Sequence, residues 1–226
     1  MDSLHCLVES GKVLYLGVSD TPAWIVAAAN MYAMQAHKTP FSVYQGRWNL
    51  MKRDLEHEVL PMCQHFGMAL CPWEVIGGGR LQTRTMLEKR KAQGENLRGY
   101  HGPPSLELTE EEQKMSEALE KIAGELKQQG QGDFAITAVA IAYVRHRARY
   151  CYPIIGGRKV EHLLDNAKAL EITLSDEQMK FLQGVVPTHT PFPLDHLGED
   201  PHETGISGAL QPSTAHLKWQ THGKPV

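Results

Sequence analysis

The sequence lacks the features that mark several classes of protein. No stretch approaches the roughly 18 consecutive apolar residues of a membrane-spanning helix, and Met1–His5 lacks the basic start and apolar run of a secretory signal. The net charge of −3 gives no electrostatic basis for binding nucleic acid or an anionic membrane. These absences favour a soluble, cytoplasmic protein with neither nucleic-acid nor membrane partners.

Cysteine is also scarce, and its spacing excludes the common metal motifs. Cys6, Cys63, Cys71 and Cys151 form no CxxC pair and no zinc-ligand pattern, so we predict neither a disulfide nor a structural metal. Cys71 lies in an apolar run and Cys6 on a helical face, which predicts buried thiols for these two. Reduced thiols fit the cytosol. The C-terminal histidines likewise lack metal-ligand spacing and are predicted to be solvated: His189, His196, His202, His216 and His222.

Apolar strands alternate with amphipathic helices along most of the chain. Strands are predicted at Lys12–Asp20, Pro40–Gln45, Gly67–Trp73 and Tyr150–Gly156. Helices are predicted at Asp2–Ser10, Pro22–His37, Asp54–Phe66, Leu81–Gln93, Thr109–Gln129, Ile136–Arg149, Lys159–Ala169 and Ser175–Val185. The first strand is apolar enough for burial on both faces of a parallel sheet, and Pro61 predicts a kink or break in its helix. The pattern predicts an α/β domain over residues 1–186 and an irregular or disordered tail over 187–226.

Polar and glycine residues follow the predicted strands, where parallel α/β folds bind ligands. Ser19 and Asp20 end the first strand, Gln45 the second and Trp73 the third. The long connection Glu74–Leu108 predicts a functional loop with a mobile tip at Gly99–Pro104. Each group also has a simpler interpretation: a helix cap for Ser19 and Asp20, a polar strand exit for Gln45, core packing for Trp73 and a hinge for the glycines.

Five segments carry a resemblance to a known family: GKVLYLGVSDTPAW, TPFSVYQGRWNL, FGMALCPWEVIGGGRLQ, AIAYVR and PIIGGRKVEHLLDNAKAL. In order and spacing they resemble the aldo-keto reductases, especially the fungal aryl-alcohol dehydrogenase and norsolorinic acid reductase branch. The resemblance implies a (β/α)8 TIM barrel, of which this chain holds only the C-terminal half, about four βα units with a C-terminal helix. It also implies NADP(H) as cofactor without a GxGxxG motif.

The same resemblance assigns cofactor contacts. It implies that Ser19, Asp20 and Gln45 bind the nicotinamide carboxamide and that Trp73 stacks on the nicotinamide ring. The pyrophosphate would pass the loop of Glu74, Ile76, Gly77 and Gly78, with Arg80 as a cation for it. Arg158 would hold the adenosine 2′-phosphate, which favours NADPH over NADH. His162 stands where many relatives have Arg or Gln, which weakens that clamp, and Asp165 and Asn166 would meet the adenine. From the residues alone, Arg158, His162 and Asp165 also suit a solvated helix face.

No catalytic residue is assigned, because the family carries its Asp, Tyr, Lys and His tetrad on the first four βα units. Two functions are therefore expected. One is an NADP(H)-dependent aldo-keto reductase that interconverts an aldehyde or ketone and an alcohol in fungal secondary metabolism. The other is an inactive, truncated remnant that at most binds a dinucleotide or a partner subunit.

A third interpretation is a structural half-barrel dimer without nucleotide. Four strands leave two unpaired edges and an apolar inner face open to water. The resemblance to half of a barrel therefore predicts self-association through the exposed barrel edges.

Overall fold

A computed structural model describes residues 1–97, 105–157, 159–198, 201–205, 207–208 and 217–220. The predicted mobile tip at Gly99–Pro104 lies outside the described residues. The strands are β1 (Leu16–Ser19), β2 (Phe41–Arg47) and β3 (Ala69–Trp73). The helices are α1 (Asp2–Glu9), α2 (Ala23–Gln35), α3 (Val59–Phe66), α4 (Arg84–Ala92), α5 (Glu110–Gln128), α6 (Ile136–Arg147), α7 (Val160–Ala167), α8 (Asp176–Val185), α9 (Leu194–Leu197) and α10 (Pro201–Thr204). Single 3-10 turns lie at Asp54–Glu56, Gly77–Gly79 and Lys168–Leu170.

The three strands form one parallel sheet in the order β1-β2-β3. The register aligns Ser19 with Gln45 and Gln45 with Cys71, so the C-terminal ends of the strands meet at one edge. The predicted fourth strand is shorter than expected. Only Cys151 forms a bridge, to Leu70 of β3, although the Tyr152 and Ile154 amides also donate to the Leu70 and Pro72 carbonyls, both at 2.8 Å. We call residues 150–154 the edge segment.

Local sequence signals set most helix boundaries. Thr109 and Glu112 form a complete capping box at the start of α5, and Ser175 and Gln178 form another at α8, as the sequence predicts. The break predicted at Pro61 lies earlier, at residues 57–58, between the Asp54–Glu56 turn and α3. Pro61 is the third residue of α3, where a missing backbone N–H costs no helical hydrogen bond.

The outer face of the sheet carries the core. Val18, Tyr44 and Leu70 align across the strands and contribute to one hydrophobic cluster that also contains buried side chains of α5, α6 and α8. The helices that contact the sheet most are α2 and α3. Gly46 lies on this face, and a Cβ there would come within 2.7 Å of the Tyr44 ring and 2.8 Å of Leu55 Cδ1. Glycine at position 46 therefore leaves room for the Tyr44 ring and the Leu55 side chain, and a larger residue there would have to displace them.

The inner face of the sheet is much more open. Gly17 and Ser19 are exposed, and Val43, Gln45, Ala69 and Cys71 are half-buried. The prediction that the first strand is buried on both faces was therefore wrong. Its hydrophobic run continues through Leu14 and Tyr15, which are 80% and 77% exposed, because no described strand pairs beyond β1.

The cysteine prediction was wrong in its details. Cys6 is exposed on α1 and Cys71 is half-buried on the inner face, whereas Cys63 and Cys151 are buried. Burial raises the pKa of the Cys63 thiol and of the Cys151 thiol to about 12. Apolar neighbours in sequence did not reveal which face of its strand Cys71 occupies.

The C-terminal segment, which was predicted to be irregular, contains two single-turn helices, α9 and α10. Among the described residues, the helices are all too short or too polar to cross a membrane.

Candidate functional site

The candidate site lies where the parallel strands end. Ser19 and Gln45 align across β1 and β2 on the inner face, and Arg47 aligns with Trp73 across β2 and β3. Side chains two residues apart share a face of a strand, so these residues form two adjacent rows. We call this region the sheet mouth.

Four of the predicted residues are joined by hydrogen bonds in the sheet mouth. The Ser19 hydroxyl lies 3.0 Å from Gln45 Oε1 and 3.1 Å from Asp20 Oδ2, and is placed to donate to either. The Trp73 indole N–H donates to Asp20 Oδ1 at 3.1 Å. Asp20 has φ of 48°, a left-handed conformation that Asp tolerates better than most residues. The bend turns its carboxylate toward Trp73.

This cluster offers both kinds of hydrogen-bonding group that an amide ligand needs. Asp20 supplies a carboxylate acceptor, and Gln45 supplies an amide nitrogen donor while its oxygen faces Ser19. Ser19 and Asp20 are exposed and Gln45 and Trp73 are half-buried. The group is accessible, and its members are held by one another. The interpretation of Trp73 as a core residue does not describe this arrangement.

A glycine turn follows β3 beside the sheet mouth. Glu74 has φ of 61°, and Gly77, Gly78 and Gly79 all have positive φ. The buried Asn49 side chain donates to the Glu74 carbonyl at 3.1 Å, which anchors the turn to the loop after β2. A Cβ on Gly78 would lie 3.2 Å from Glu74 Oε1. Glycines in such a turn let backbone N–H groups approach an anion.

The rest of this loop is fixed to the helical layer. Ile76 packs against the hydrophobic core. Arg80 forms a two-pronged ion pair with Glu112, with Nε–Oε1 and Nη2–Oε2 both at 2.9 Å. Arg80 also donates to the Ser105 and Glu107 carbonyls. Its guanidinium is thus engaged inside the protein, whereas the sequence analysis assigned it to a pyrophosphate.

The predicted adenosine-binding residues have different environments. Arg158 lies outside the described residues. His162 is exposed on α7 and its Cβ lies 3.0 Å from the position of a Cβ on Gly157. Asp165 pairs with Lys168 at 2.9 Å. Asn166 is only 6% exposed, so little of its surface is open to a ligand.

Two inner-face residues at the mouth were missed by the sequence analysis. Arg47 lies two residues beyond Gln45 and shares its face. Tyr152 follows the bridge of Cys151 with Leu70, which places it beside Cys71 in the row of Gln45, and it is 61% exposed. Strand alternation, counted two residues at a time from Gln45, identifies Arg47. Tyr152 could be identified only from the register of the edge segment against β3.

A buried charge network supports the loop after β2. Glu56 accepts from the Trp48 indole at 3.0 Å, from Arg53 at 3.1 and 3.2 Å and from Arg147 at 3.2 Å. Burial alone would raise the pKa of the Glu56 carboxyl, but Arg147 and Arg53 together lower it. The Arg53 guanidinium also donates to the Gln183 carbonyl of α8 at 3.1 Å. The network thus binds the loop after β2 to α6 through Arg147 and to α8 through Gln183.

Within the residues that the structure describes, no group of three His, Cys, Asp or Glu side chains is close enough to hold a metal ion.

A parallel α/β layer with polar side chains at its strand ends is typical of barrel-type α/β proteins. The family comparison identifies which one. The profile of the aldo/keto reductase family matches residues 1–187, and the chain belongs to this family.

Curated relatives place the chain among fungal members of the family. It is 51% identical over 220 residues to a Saccharomyces cerevisiae protein with the name aryl-alcohol dehydrogenase AAD10, covering 97% of this chain and 74% of the relative. It is 50% identical over 193 residues to the aryl-alcohol dehydrogenase [NADP(+)] of Phanerodontia chrysosporium, covering 85% and 49%. It is 42% identical over 204 residues to norsolorinic acid reductase A of Aspergillus parasiticus, covering 90% and 48%. The chain thus spans about half the length of the last two.

A solved structure supports the fold. The thermostable aldo-keto reductase Tm1743, in complex with the inhibitor epalrestat, superposes with a TM-score of 0.56 at 24% identity. The match covers 81% of this chain and 53% of that chain. The parallel sheet and its helices therefore correspond to part of an aldo-keto reductase barrel.

Proposed function

We propose that the sheet mouth binds NADP(H) and that the protein acts in the interconversion of an aldehyde or ketone and an alcohol. The observation that carries this proposal is the hydrogen-bonded cluster of Ser19, Asp20, Gln45 and Trp73 at the C-terminal ends of three parallel strands. Bound nicotinamide supplies or accepts a hydride. The role of this chain's residues is to bind and orient that ring.

The residues of the mouth fit a nicotinamide dinucleotide. Asp20 would accept from the carboxamide nitrogen and Gln45 would donate to its oxygen. The Trp73 ring, fixed by its indole N–H bond to Asp20, offers a flat face for stacking. The glycine turn at Gly77–Gly79 provides close backbone approach for the pyrophosphate. Family membership and the relative named for NADP(+) support the phosphorylated cofactor.

The alternative is cofactor binding without catalysis. Tyr44 donates its hydroxyl to the Thr21 carbonyl at 2.8 Å, Tyr32 donates to Asp2, and burial together with the Glu56 charge raises the pKa of Tyr143 to about 12. These three hydroxyls are engaged or buried away from the mouth. Tyr152, in contrast, lies in the row of Gln45, so it is the tyrosine to test as a proton donor if turnover is found.

The deciding experiment is calorimetric titration of the chain with NADPH and with NADH, followed by carbonyl-dependent oxidation of NADPH with an aromatic aldehyde. Binding with turnover that Tyr152→Phe abolishes supports the reductase. Binding without turnover supports the non-catalytic alternative. If neither cofactor binds, the proposed site is wrong.

We place the protein in a reducing compartment such as the cytosol. All four cysteines are free thiols, which is typical of cytosolic proteins. The comparison with norsolorinic acid reductase A supports a substrate from fungal secondary metabolism, a small carbonyl compound or alcohol.

We also propose that a second copy of this chain covers the sheet edges. Leu14 and Tyr15 are exposed beside β1, while Tyr150, Tyr152 and Ile154 are exposed on the edge segment at the opposite edge. These exposed apolar side chains lie at both edges of the sheet, where no further strand pairs among the described residues.

Sedimentation analysis tests this pairing. A dimer is expected for the wild type, and Tyr15→Asp combined with Tyr152→Asp is expected to shift it toward monomer. Trp24→Asp, a change at a 73% exposed residue of α2 that belongs to neither edge strand, is the control and should leave the dimer intact. A monomeric wild type overturns the proposal.

A further inference from the structure

Arg47 differs from the other partly buried arginines near it. Arg53 and Arg80 each pair with a glutamate at 2.9–3.1 Å, and Arg147 pairs with Glu56 at 3.2 Å. No hydrogen bond or ion pair joins the Arg47 guanidinium to another of the residues that the structure describes. A half-buried cation without a partner loses hydration and gains no compensating charge, so a nearby ligand can supply that charge.

The position of Arg47 is well defined. It is the last residue of β2, and the buried Gly46 and Trp48 on either side of it fix the strand. The Trp48 amide donates to the Trp73 carbonyl at 3.2 Å, which holds Arg47 beside Trp73 in the register. Its side chain lies on the same inner face as Gln45, one row nearer the C-terminal ends of the strands.

The Asp20 carboxylate of the mouth already has partners, since it accepts from Ser19 and from Trp73. The Glu74 carboxylate lies on the Gly78 side of the glycine turn, with Oε1 3.2 Å from the position of a Cβ on Gly78. Arg47 therefore places a positive charge that no described residue pairs with beside an aromatic ring and a polar row. This combination recognises an anion attached to a flat apolar group.

We infer that Arg47 binds an anionic oxygen group of the ligand held in the sheet mouth, either a carboxylate of an aromatic carbonyl substrate or a phosphate of the dinucleotide. A guanidinium suits both, since its N–H groups match two oxygens at once. The inference deepens the proposed function, on which it rests for the identity of the ligand. It makes Arg47 a binding residue that selects for charge.

The experiment compares two matched aldehydes and NADPH by isothermal titration calorimetry. The probes are 4-carboxybenzaldehyde, its neutral counterpart 4-methylbenzaldehyde, and NADPH, each titrated into the full chain alone. The variants are Arg47→Met, Arg47→Lys and the control Arg149→Met, which removes an exposed arginine just before the edge segment at the opposite end of the sheet. Thermal midpoints establish that each variant is folded.

Loss of one charge-assisted contact predicts a weakening of roughly tenfold or more in Arg47→Met. If that loss appears for 4-carboxybenzaldehyde and not for 4-methylbenzaldehyde, the anion is a substrate carboxylate. If it appears for NADPH, the anion is a cofactor phosphate. Arg47→Lys should recover part of the affinity in either case, and Arg149→Met should retain all of it.

The two proposals fail in distinguishable ways. If the wild type binds 4-carboxybenzaldehyde and not NADPH, with the affinity dependent on Arg47, the anion site stands and the proposed function falls. If NADPH binds and Arg47→Met changes the affinity of no probe, the anion site is wrong and the proposed function stands. Binding of none of the three probes to the wild type overturns both.

Discussion

The two faces of the sheet differ sharply, although their residues alternate along the same strands. On the outer face Leu70 is 2% exposed, while its neighbour Cys71 on the inner face is half-buried. The outer face packs against helices; the inner face carries Ser19, Gln45, Arg47 and Trp73. The outer face therefore carries most of the packing, and the inner face carries the polar residues of the proposed site. A shift of one position along a strand exchanges one face for the other.

The largest expected change in the free energy of unfolding is at Glu56, the buried carboxylate in the loop after β2. Glu56→Gln removes the charge between Arg53 and Arg147, whose side chains are 14% and 19% exposed. Removing one partner of a buried ion pair costs about 3–5 kcal/mol of unfolding free energy. Denaturant unfolding measures this loss. Glu58→Gln, an exposed glutamate two residues away, should change the free energy little.

The lowered pKa of Glu56 also predicts that the free energy of unfolding depends on pH. The pKa of Glu56 is lowered in the folded protein, so its contribution to stability is complete above the unfolded pKa near 4.3 and is lost as pH falls through the lower folded pKa. The wild type should therefore lose its stability advantage over Glu56→Gln below about pH 4. An advantage that stays constant between pH 7 and pH 3 contradicts the network.

The comparison of faces is tested most directly by neighbouring residues of β3. Leu70→Ala leaves a cavity under the helices and should cost about 3 kcal/mol. Cys71→Ala removes a half-buried sulfur from the open face and should cost less than about 1 kcal/mol. Unfolding free energies of the two variants give the contrast. Equal losses mean that the inner face is packed as well as the outer one.

The smallest expected effect is at the mouth itself. Asp20→Asn keeps the left-handed backbone that Asn also tolerates and keeps an oxygen for the Trp73 indole. The free energy of unfolding should change by no more than about 0.5 kcal/mol. Thermal unfolding checks this, and a large loss would assign Asp20 to the fold and not to ligand binding.

Local signals predicted the helices better than the edges of the sheet. The helices predicted from Thr109 and from Ser175 are capped by these residues, each with a capping box formed by residues three positions apart in the sequence. The strand at Tyr150–Gly156 is reduced to the bridge of Cys151 with Leu70, because strand pairing depends on what lies beside it and not on its own apolar residues.

The residues of the sheet mouth could be predicted only in part from the sequence. The cluster of Ser19, Asp20, Gln45 and Trp73 followed from strand endings together with the family resemblance. Arg80 is paired with Glu112 and Asn166 is buried. Neither environment can be predicted from the residues that surround these positions in the sequence. Arg47 was missed because the polar residue before it, Gln45, already marked the end of the strand.

The Glu112 carboxylate links two parts of the chain that are 32 residues apart. One oxygen accepts from the Thr109 amide at 2.8 Å to start α5, and both hold Arg80 at the glycine turn. Loss of Arg80 would leave the Glu112 carboxylate of the capping box without the cation that pairs with it. Displacement of the glycine turn should therefore be detectable as faster amide hydrogen exchange in the first turn of α5, because both depend on the Glu112 side chain.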